Sequence, residues 1–533
     1  MEHGPRAAPM TPRFACLLPL ALVLLAGMPS HLAAAPGEAA GPVIAVTGGS
    51  VQGRLLSGGP AAVFRGLPFA QPPVGPLRWR APQPVPPWTG LRDAGTPGPP
   101  ALQASFGWNA AFAAASREDC LYLDVWTPDL APPRGAPVMV WIHGGGNVAG
   151  AGGADPLYDG RALIGHGVVL VVIEYRLGVL GYFAHPELTR ESPHRASGNY
   201  GILDQLAALK WVQDNIARFG GDPGRVTIFG QSAGGTDVLA LVATRLAYGL
   251  FHGAIAESGP LSPAMVQTQE AADAAGVRAA AGASGAPATL AALRALPPAE
   301  VLTLEPGLRP FTMNSWIFPL SPVETWRRHR ELNVPLIVGS NAVEFPFAGS
   351  RDEMVASIRK MFGPDAPRAL EAYGLAGNPV PPDPLYGDAA DQWGSDFFRC
   401  LPMVFGEWHA GSGRRTWQYE FDRAIPPHPR VAHSGDLPYV FGNLWSTGSL
   451  PGEYTEADHD LSADIQGYWT NFAKTGDPNG PGLPPWAPYS RPAAPYMNFT
   501  TAGASVPALG QRETFRALFR AALERPQPDG APP

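Results

Sequence analysis

Arg225-Val226-Thr227-Ile228-Phe229-Gly230-Gln231-Ser232-Ala233-Gly234-Gly235-Thr236-Asp237-Val238-Leu239-Ala240-Leu241-Val242 is the stretch on which the fold turns. Residues 225–230 form a short run with β-branched and aromatic side chains, the signature of a strand buried on both faces. Residues 238–242 are apolar and suit a buried helix. Between them lies the one G-x-S-x-G of the chain, Gly230 to Gly234. A serine on so sharp a strand-to-helix turn presents its hydroxyl outward, and the flanking residues must be small because the backbone crowds there. The helix that follows aims its first amides at the same point, where a negative charge can develop. A glycine-rich turn without chemistry would fit the five residues alone. The strand before them and the helix after them favour a nucleophile at Ser232.

The same strand–loop logic recurs upstream. Residues 138–143 read as a strand that runs into His143-Gly144-Gly145-Gly146. Glycines allow a loop to approach a reacting centre closely and offer backbone N–H groups to an oxyanion. A phosphate cradle is the competing use, but the lysine of a P-loop and the spacing of a dinucleotide fingerprint are both missing. Further strands are expected at 168–175, 334–340 and 415–421. A helix is expected over 203–219, with Leu203, Leu206, Leu209, Val212, Ile216 and Phe219 on its apolar face and Gly220, Gly221 and Pro223 ending it. Alternating strands and helices argue for an α/β protein with a mostly parallel central sheet covered on both faces. The Ala-rich stretch 262–333 breaks this rhythm and reads as a cap or lid insertion, not a separate domain.

Composition agrees with a large globular enzyme. The chain has 533 residues, 45% hydrophobic and 16% charged, which is ample for a sizeable core. The 63 glycines and 62 prolines are dispersed between apolar segments, as turns are. A formal net charge of −7 without a basic run excludes a nucleic-acid binder. The first 35 residues are of another kind. Arg6 and Arg13 precede an apolar run over 14–27, and Ala33, Ala34 and Ala35 follow. That order is the one of a secretory signal, and the run is too short for a membrane anchor. Translation could start at Met1 or Met10. The expectation is therefore a signal peptide at 1–35 and an exported mature chain, 36–533, secreted or periplasmic. Cys16 falls inside the apolar run, which leaves Cys120 and Cys400 in the mature chain.

At this point the chain resembles a known family. Phe64-Arg65-Gly66-Leu67-Pro68-Phe69-Ala70, Pro72-Pro73-Val74-Gly75, Glu118-Asp119-Cys120-Leu121-Tyr122-Leu123, Tyr175-Arg176-Leu177-Gly178, Asn199-Tyr200-Gly201 with Leu203-Asp204-Gln205, and Phe219-Gly220-Gly221-Asp222-Pro223 all match type-B carboxylesterases, the relatives of cholinesterases and para-nitrobenzyl esterases. The resemblance runs from about residue 43 to about residue 500. It implies an α/β-hydrolase fold and a serine hydrolase that cleaves small-molecule carboxylic esters through an acyl-enzyme, with no cofactor and no metal. It also implies the triad Ser232, Glu344 and His433, with Gly145, Gly146 and Ala233 as the oxyanion hole. From the residues alone, Glu324 or Glu331 and His409 or His428 compete for the acid and base roles. Two buried ion pairs, Arg78 with Glu118 and Arg176 with Asp204, are implied as well.

Departures from the family pattern carry information. The family often has Glu before the nucleophile and Asp before the triad acid; here these are Gln231 and Val343. Both changes remove negative charge and argue against a cationic, choline-type substrate. Asn147 stands where an aromatic usually follows the glycine loop, so a more polar pocket mouth is expected. The family partner of Cys120 falls on Ala101, so Cys120 is expected as a free thiol. Lactones, carbamates or amides would suit the same machinery. A binding-only relative would lack the triad, whereas every member is present here. The sequence does not set the oligomeric state.

Overall fold

The computed structural model describes residues 38–284, 289–304, 307, 309–377, 381–425, 428–444 and 453–525. The proposed signal segment lies outside the described residues. The strands are β1 (Ala39–Val46), β2 (Gly49–Leu55), β3 (Ala62–Pro68), β4 (Leu91–Asp93), β5 (Tyr122–Thr127), β6 (Ala136–Ile142), β7 (Val169–Ile173), β8 (Gly221–Gln231), β9 (Gly253–Glu257), β10 (Val266–Thr268), β11 (Phe311–Met313), β12 (Leu336–Asn341), β13 (Thr416–Phe421), β14 (Pro495–Phe499) and β15 (Ser505–Leu509). All but β10 and β11 join one sheet in the order β1-β2-β3-β5-β7-β6-β8-β9-β12-β13-β14-β15, with β4 beside β2. From β7 to β14 every pairing is parallel. Antiparallel ribbons flank this block on each side.

Alternation along the central strands explains why they read as unbroken apolar runs. Val138, Val140 and Ile142 of β6 belong to one core cluster, and Met139 and Trp141 to the other. Val169, Val171 and Ile173 of β7 divide from Leu170 and Val172 in the same way. Successive side chains point to opposite faces, and both faces are covered, so no position can be polar without cost. Each fully buried Val, Leu or Ile contributes about 1.5–3 kcal/mol relative to exposure. This is the α/β-hydrolase arrangement.

Among the helices are α1 (Tyr200–Asn215), α2 (Ala233–Ala243) and α3 (Gln269–Ser284). The expected helix over 203–219 is α1 with its last residues, Ile216–Phe219, tightened to 3-10 geometry. Gly220, at φ 78°, then turns the chain. Strand β8 begins at Gly221, earlier than expected, because Gly221 pairs with Ala136 across a bulge. Between β9 and β12 the chain leaves the large sheet. There β10 and β11 form a small parallel ladder of their own, beside α3. No helix among the described residues is long and apolar enough to cross a membrane.

Both expected ion pairs are present and buried. Arg78 Nε donates to Glu118 Oε2 at 3.0 Å. The Arg78 Nη1 group also reaches the carbonyls of Arg294 (3.1 Å) and Leu296 (2.8 Å), tying the 262–333 stretch to the core. Arg176 holds Asp204 through Nε and Nη2, both at 2.7 Å. Cys120 and Cys400 are free and buried, and burial pushes both thiols well up from their usual range. Thiols of that kind are poor nucleophiles.

Candidate active site

Strand order reverses at β6, with β7 on one side and β8 on the other. In open parallel sheets a crevice opens beyond the carboxyl ends of the strands at such a point. The glycine loop leaves β6 there, and Ser232 leaves β8.

The turn at Ser232 shows why its neighbours are glycine. A Cβ on Gly230 would lie 2.6 Å from the Ile142 carbonyl oxygen, and one on Gly234 only 2.0 Å from the same atom. Ser232 itself has φ 58° and ψ −122°, a conformation that L residues rarely adopt. It is held by its amide, which donates to the Glu257 carbonyl at 2.8 Å, and by its carbonyl, which accepts from the Thr236 amide at 2.9 Å. Helix α2 starts at the next residue, so the Ala233 amide is one of the first-turn donors without an intrahelical partner.

The glycine loop presses on this turn. Gly144 stands so close that a Cβ would lie 3.1 Å from Ser232 Cβ. Gly145 and Gly146 have φ of 106° and 67°, and no acceptor among the described residues takes their amides. The loop is braced from outside. Tyr175 Oη donates to the His143 carbonyl at 2.7 Å, and Gln103 brackets Gly150 with bonds of 2.7 and 2.9 Å. The Gly152 amide donates to Glu174 at 2.6 Å.

Glu344 and His433, 89 residues apart, meet at 2.5 Å between Oε2 and Nδ1. Glu344 lies three residues past β12. Its other oxygen accepts from Ser258 Oγ at 2.6 Å and from the Asn341 amide at 2.8 Å. Behind it sits Asp436, held by Asn341 Nδ2 (3.2 Å) and Tyr419 Oη (3.1 Å). Burial and the Glu344 charge push the Asp436 carboxyl up to about 6. Glu257, which accepts from Trp469 Nε1 at 2.7 Å, is pushed well above its usual range by burial and by Asp436. Ser258 and Asp436 were not singled out from sequence. The signal available was that Ser258 directly follows β9 and Asp436 lies just past His433, both at the carboxyl edge of the sheet.

Glu324, Glu331 and His409 fall elsewhere. Glu331 and His409 form a real buried pair at 2.9 Å, and His409 Nε2 bonds the Val334 carbonyl at 2.8 Å. That places them at the amino end of β12, about 20 Å from its carboxyl end for six residues at ~3.3 Å each. Glu324 pairs with Arg327 and Arg328 near the surface. One expectation is corrected. Asn147 does not make the pocket mouth polar: it is 3% exposed and turns inward, donating to Asp237 at 2.9 Å. Two aromatic rings stand beside His433, the half-exposed Phe345 at 4.2 Å and Phe398 at 4.9 Å.

The sequence model of the carboxylesterase family matches residues 40–361 and 384–516. The chain is 36% identical over 518 residues to the medium-chain fatty acyl-CoA hydrolase precursor of Anas platyrhynchos, covering 88% of this chain and 90% of that one. It is 35% identical over 461 residues to the fumonisin B1 esterase of Sphingopyxis macrogoltabida, covering 81% and 82%. The solved structure of a carboxylesterase from Geobacillus stearothermophilus superposes with a TM-score of 0.77 at 30% identity, over 90% of this chain and 99% of that one. The chain belongs to the carboxylesterase family and hydrolyses carboxylic esters.

Proposed function

We propose that Ser232 is the nucleophile, His433 the general base and Glu344 the acid that orients it, with the amides of Gly145, Gly146 and Ala233 as the oxyanion hole. The Glu344–His433 bond at 2.5 Å carries this reading, because it fixes a proton on Nδ1 and so makes Nε2 the acceptor of the pair. His433 takes the Ser232 proton as Oγ attacks the ester carbonyl. The tetrahedral oxyanion rests on the three amides. His433 then hands the proton to the departing alkoxide, which leaves as the alcohol, and Ser232 is acylated. Water, deprotonated by His433, attacks the acyl carbon in turn, and Ser232 Oγ leaves with the proton.

Gln231 and the aromatic rings beside His433 support uncharged, apolar esters as the preferred class. The Ala-rich stretch 262–333 is proposed as a cap, anchored to the core by Arg78. The leader-like residues 1–35 support export of the mature enzyme. Fluorophosphonate labelling followed by peptide mapping tests the assignment, with Ser232 as the expected site. Ser232→Ala, His433→Ala and Glu344→Gln should each lower kcat by about 10³-fold or more with circular dichroism unchanged, the carboxylate change being mildest. A folded Glu344→Gln enzyme with parental kcat would remove Glu344 from the triad.

A further inference from the structure

Among the described residues, one side-chain hydrogen bond joins the glycine loop to the nucleophile helix: Asn147 Nδ2 donates to Asp237 Oδ1 at 2.9 Å. Asn147 follows Gly146 directly. Asp237 lies five residues after Ser232 on α2. The second oxygen, Asp237 Oδ2, accepts from Gln205 Nε2 of α1 at 2.6 Å. The Asn147 backbone is fixed separately, with φ 59° and its carbonyl accepting from the Gly178 amide at 2.7 Å.

This carboxyl is an odd group to bury. Asp237 and Gln205 have no exposure, and no lysine or arginine pairs with Asp237 among the described residues. Burial pushes its carboxyl up to about 7, against the pull of the two amides and of His143. The groups that sense its charge, Tyr175 and Tyr182, are themselves buried phenols without positive charge. A buried carboxyl held only by neutral amides gives little net stability, and an apolar residue of similar size would be no worse for the fold. Its position answers a different need. The oxyanion hole has two halves on separate elements: Gly145 and Gly146 on the loop after β6, and Ala233 on α2. The hole works only when all three amides converge on one oxygen, at about 2.7–3.1 Å.

We propose that Asn147, Asp237 and Gln205 form a positioning relay that fixes the glycine loop against α2 and so sets the spacing between the two halves of the oxyanion hole. The relay rests on the assignment of Ser232 and the oxyanion amides given above. Asn147 and Asp237 touch no substrate; they act through the amides on either side of them. The loop's other braces, Tyr175, Gln103 and Glu174, tie it to the scaffold but not to α2.

The bond is directional, and this allows a swap. Asn147→Asp sets two carboxyls against each other, while aspartate tolerates the same left-handed backbone. Adding Asp237→Asn reverses donor and acceptor: the introduced carboxamide donates to the introduced carboxylate, and its oxygen still accepts from Gln205. With a nitrophenyl ester, Asn147→Asp should lower kcat about 30-fold and leave KM within about threefold, somewhat less than deletion of a direct oxyanion donor. Affinity for a trifluoromethyl ketone, whose serine adduct carries the oxyanion, should fall by a similar factor. The double swap should return both to within about fivefold of the parent. Asn147→Gly, which keeps the backbone and removes the donor, replaces Asn147→Asp should that variant not fold, and the swap must then exceed it at least about fivefold in kcat. Parental kcat and ketone affinity in the single variants, or a folded swap without recovery, overturns the relay alone when fluorophosphonate still labels Ser232. Labelling of the parent at another residue overturns the nucleophile assignment and the relay with it.

Discussion

Gln231 Nε2 stands 3.2 Å from His433 Nε2, so the residue before Ser232, the proposed nucleophile, meets the proposed base. With Nδ1–H committed to Glu344, Nε2 is the acceptor and the carboxamide its donor. Catalytic hydrogen bonds are often loose before substrate binds, and Ser232 must replace or share this contact as the reaction begins. The neutral amide supports a neutral imidazole, the form that a general base requires.

Gln231→Glu should therefore shift the acid limb of kcat/KM to higher pH, by about one unit or more. The sign follows from charge: a carboxylate beside the imidazole favours the imidazolium, so the free base is reached only at higher pH. Activity at pH 6 should drop steeply, and activity at pH 9 much less. An acid limb that stays in place would show that the new carboxyl does not face His433.

Ser258→Ala removes one of the donors that hold Glu344 Oε1, leaving the Asn341 amide. A hydrogen bond to a charged group contributes about 1.5–3 kcal/mol, and only part of that bears on the transition state, so kcat should fall about tenfold with KM little changed. The fold should hold, because Ser258 is backed by the Gly339 carbonyl through its own amide at 2.8 Å. Parental kcat in the variant would mean that Ser258 merely fills space.

What could be read from sequence divides along physical lines. Ser232 was legible because its requirement is local: Gly230 and Gly234 must lack Cβ atoms for the turn to pack on Ile142. Glu344 and His433 were not legible from spacing, since Glu331 and His409 form an equally convincing buried pair. Only the topology separates them, one pair at the carboxyl end of β12 and the other at its amino end. Asn147 was misjudged for a similar reason. It follows a run of loop glycines, but its partner is 90 residues away on α2. Asp237 and Ser258 carry no signal in sequence because each takes its meaning from a contact made across the fold.

Asp124 gives a stability prediction with a defined sign. Burial pushes its carboxyl up to about 7, with the Gly66 amide and the Arg65 charge pulling the other way. In the unfolded chain the group titrates near 3.9. Its stabilising contribution is thus complete below about pH 4 and is lost as pH rises through about 7. Asp124→Asn retains an oxygen for the Gly66 amide, which donates at 2.8 Å, and removes the titration. The urea midpoint of the variant relative to the parent should rise between pH 5 and pH 8.5. Parallel curves would show that the carboxylate is equally ionised in both states.

Phe345 is the test of substrate class. It follows Glu344 directly, is 49% exposed, and lies against both His433 (4.2 Å) and Phe398 (5.5 Å between ring centroids). A large apolar ring left half in water beside His433 has surface to offer a bound ester, and in the proposed mechanism the departing alcohol must pass close to His433 to be protonated. An aryl leaving group can pack on the ring where a methyl group cannot, and aromatic pairs add about 0.5–1.5 kcal/mol beyond area burial. Phe345→Ala should then lower kcat/KM for phenyl or benzyl acetate about three- to tenfold while methyl acetate changes less than about twofold. Equal losses for all three esters would mean that the ring positions His433 and does not select substrate. In that case the acid limb of the pH profile, not the aryl preference, should move.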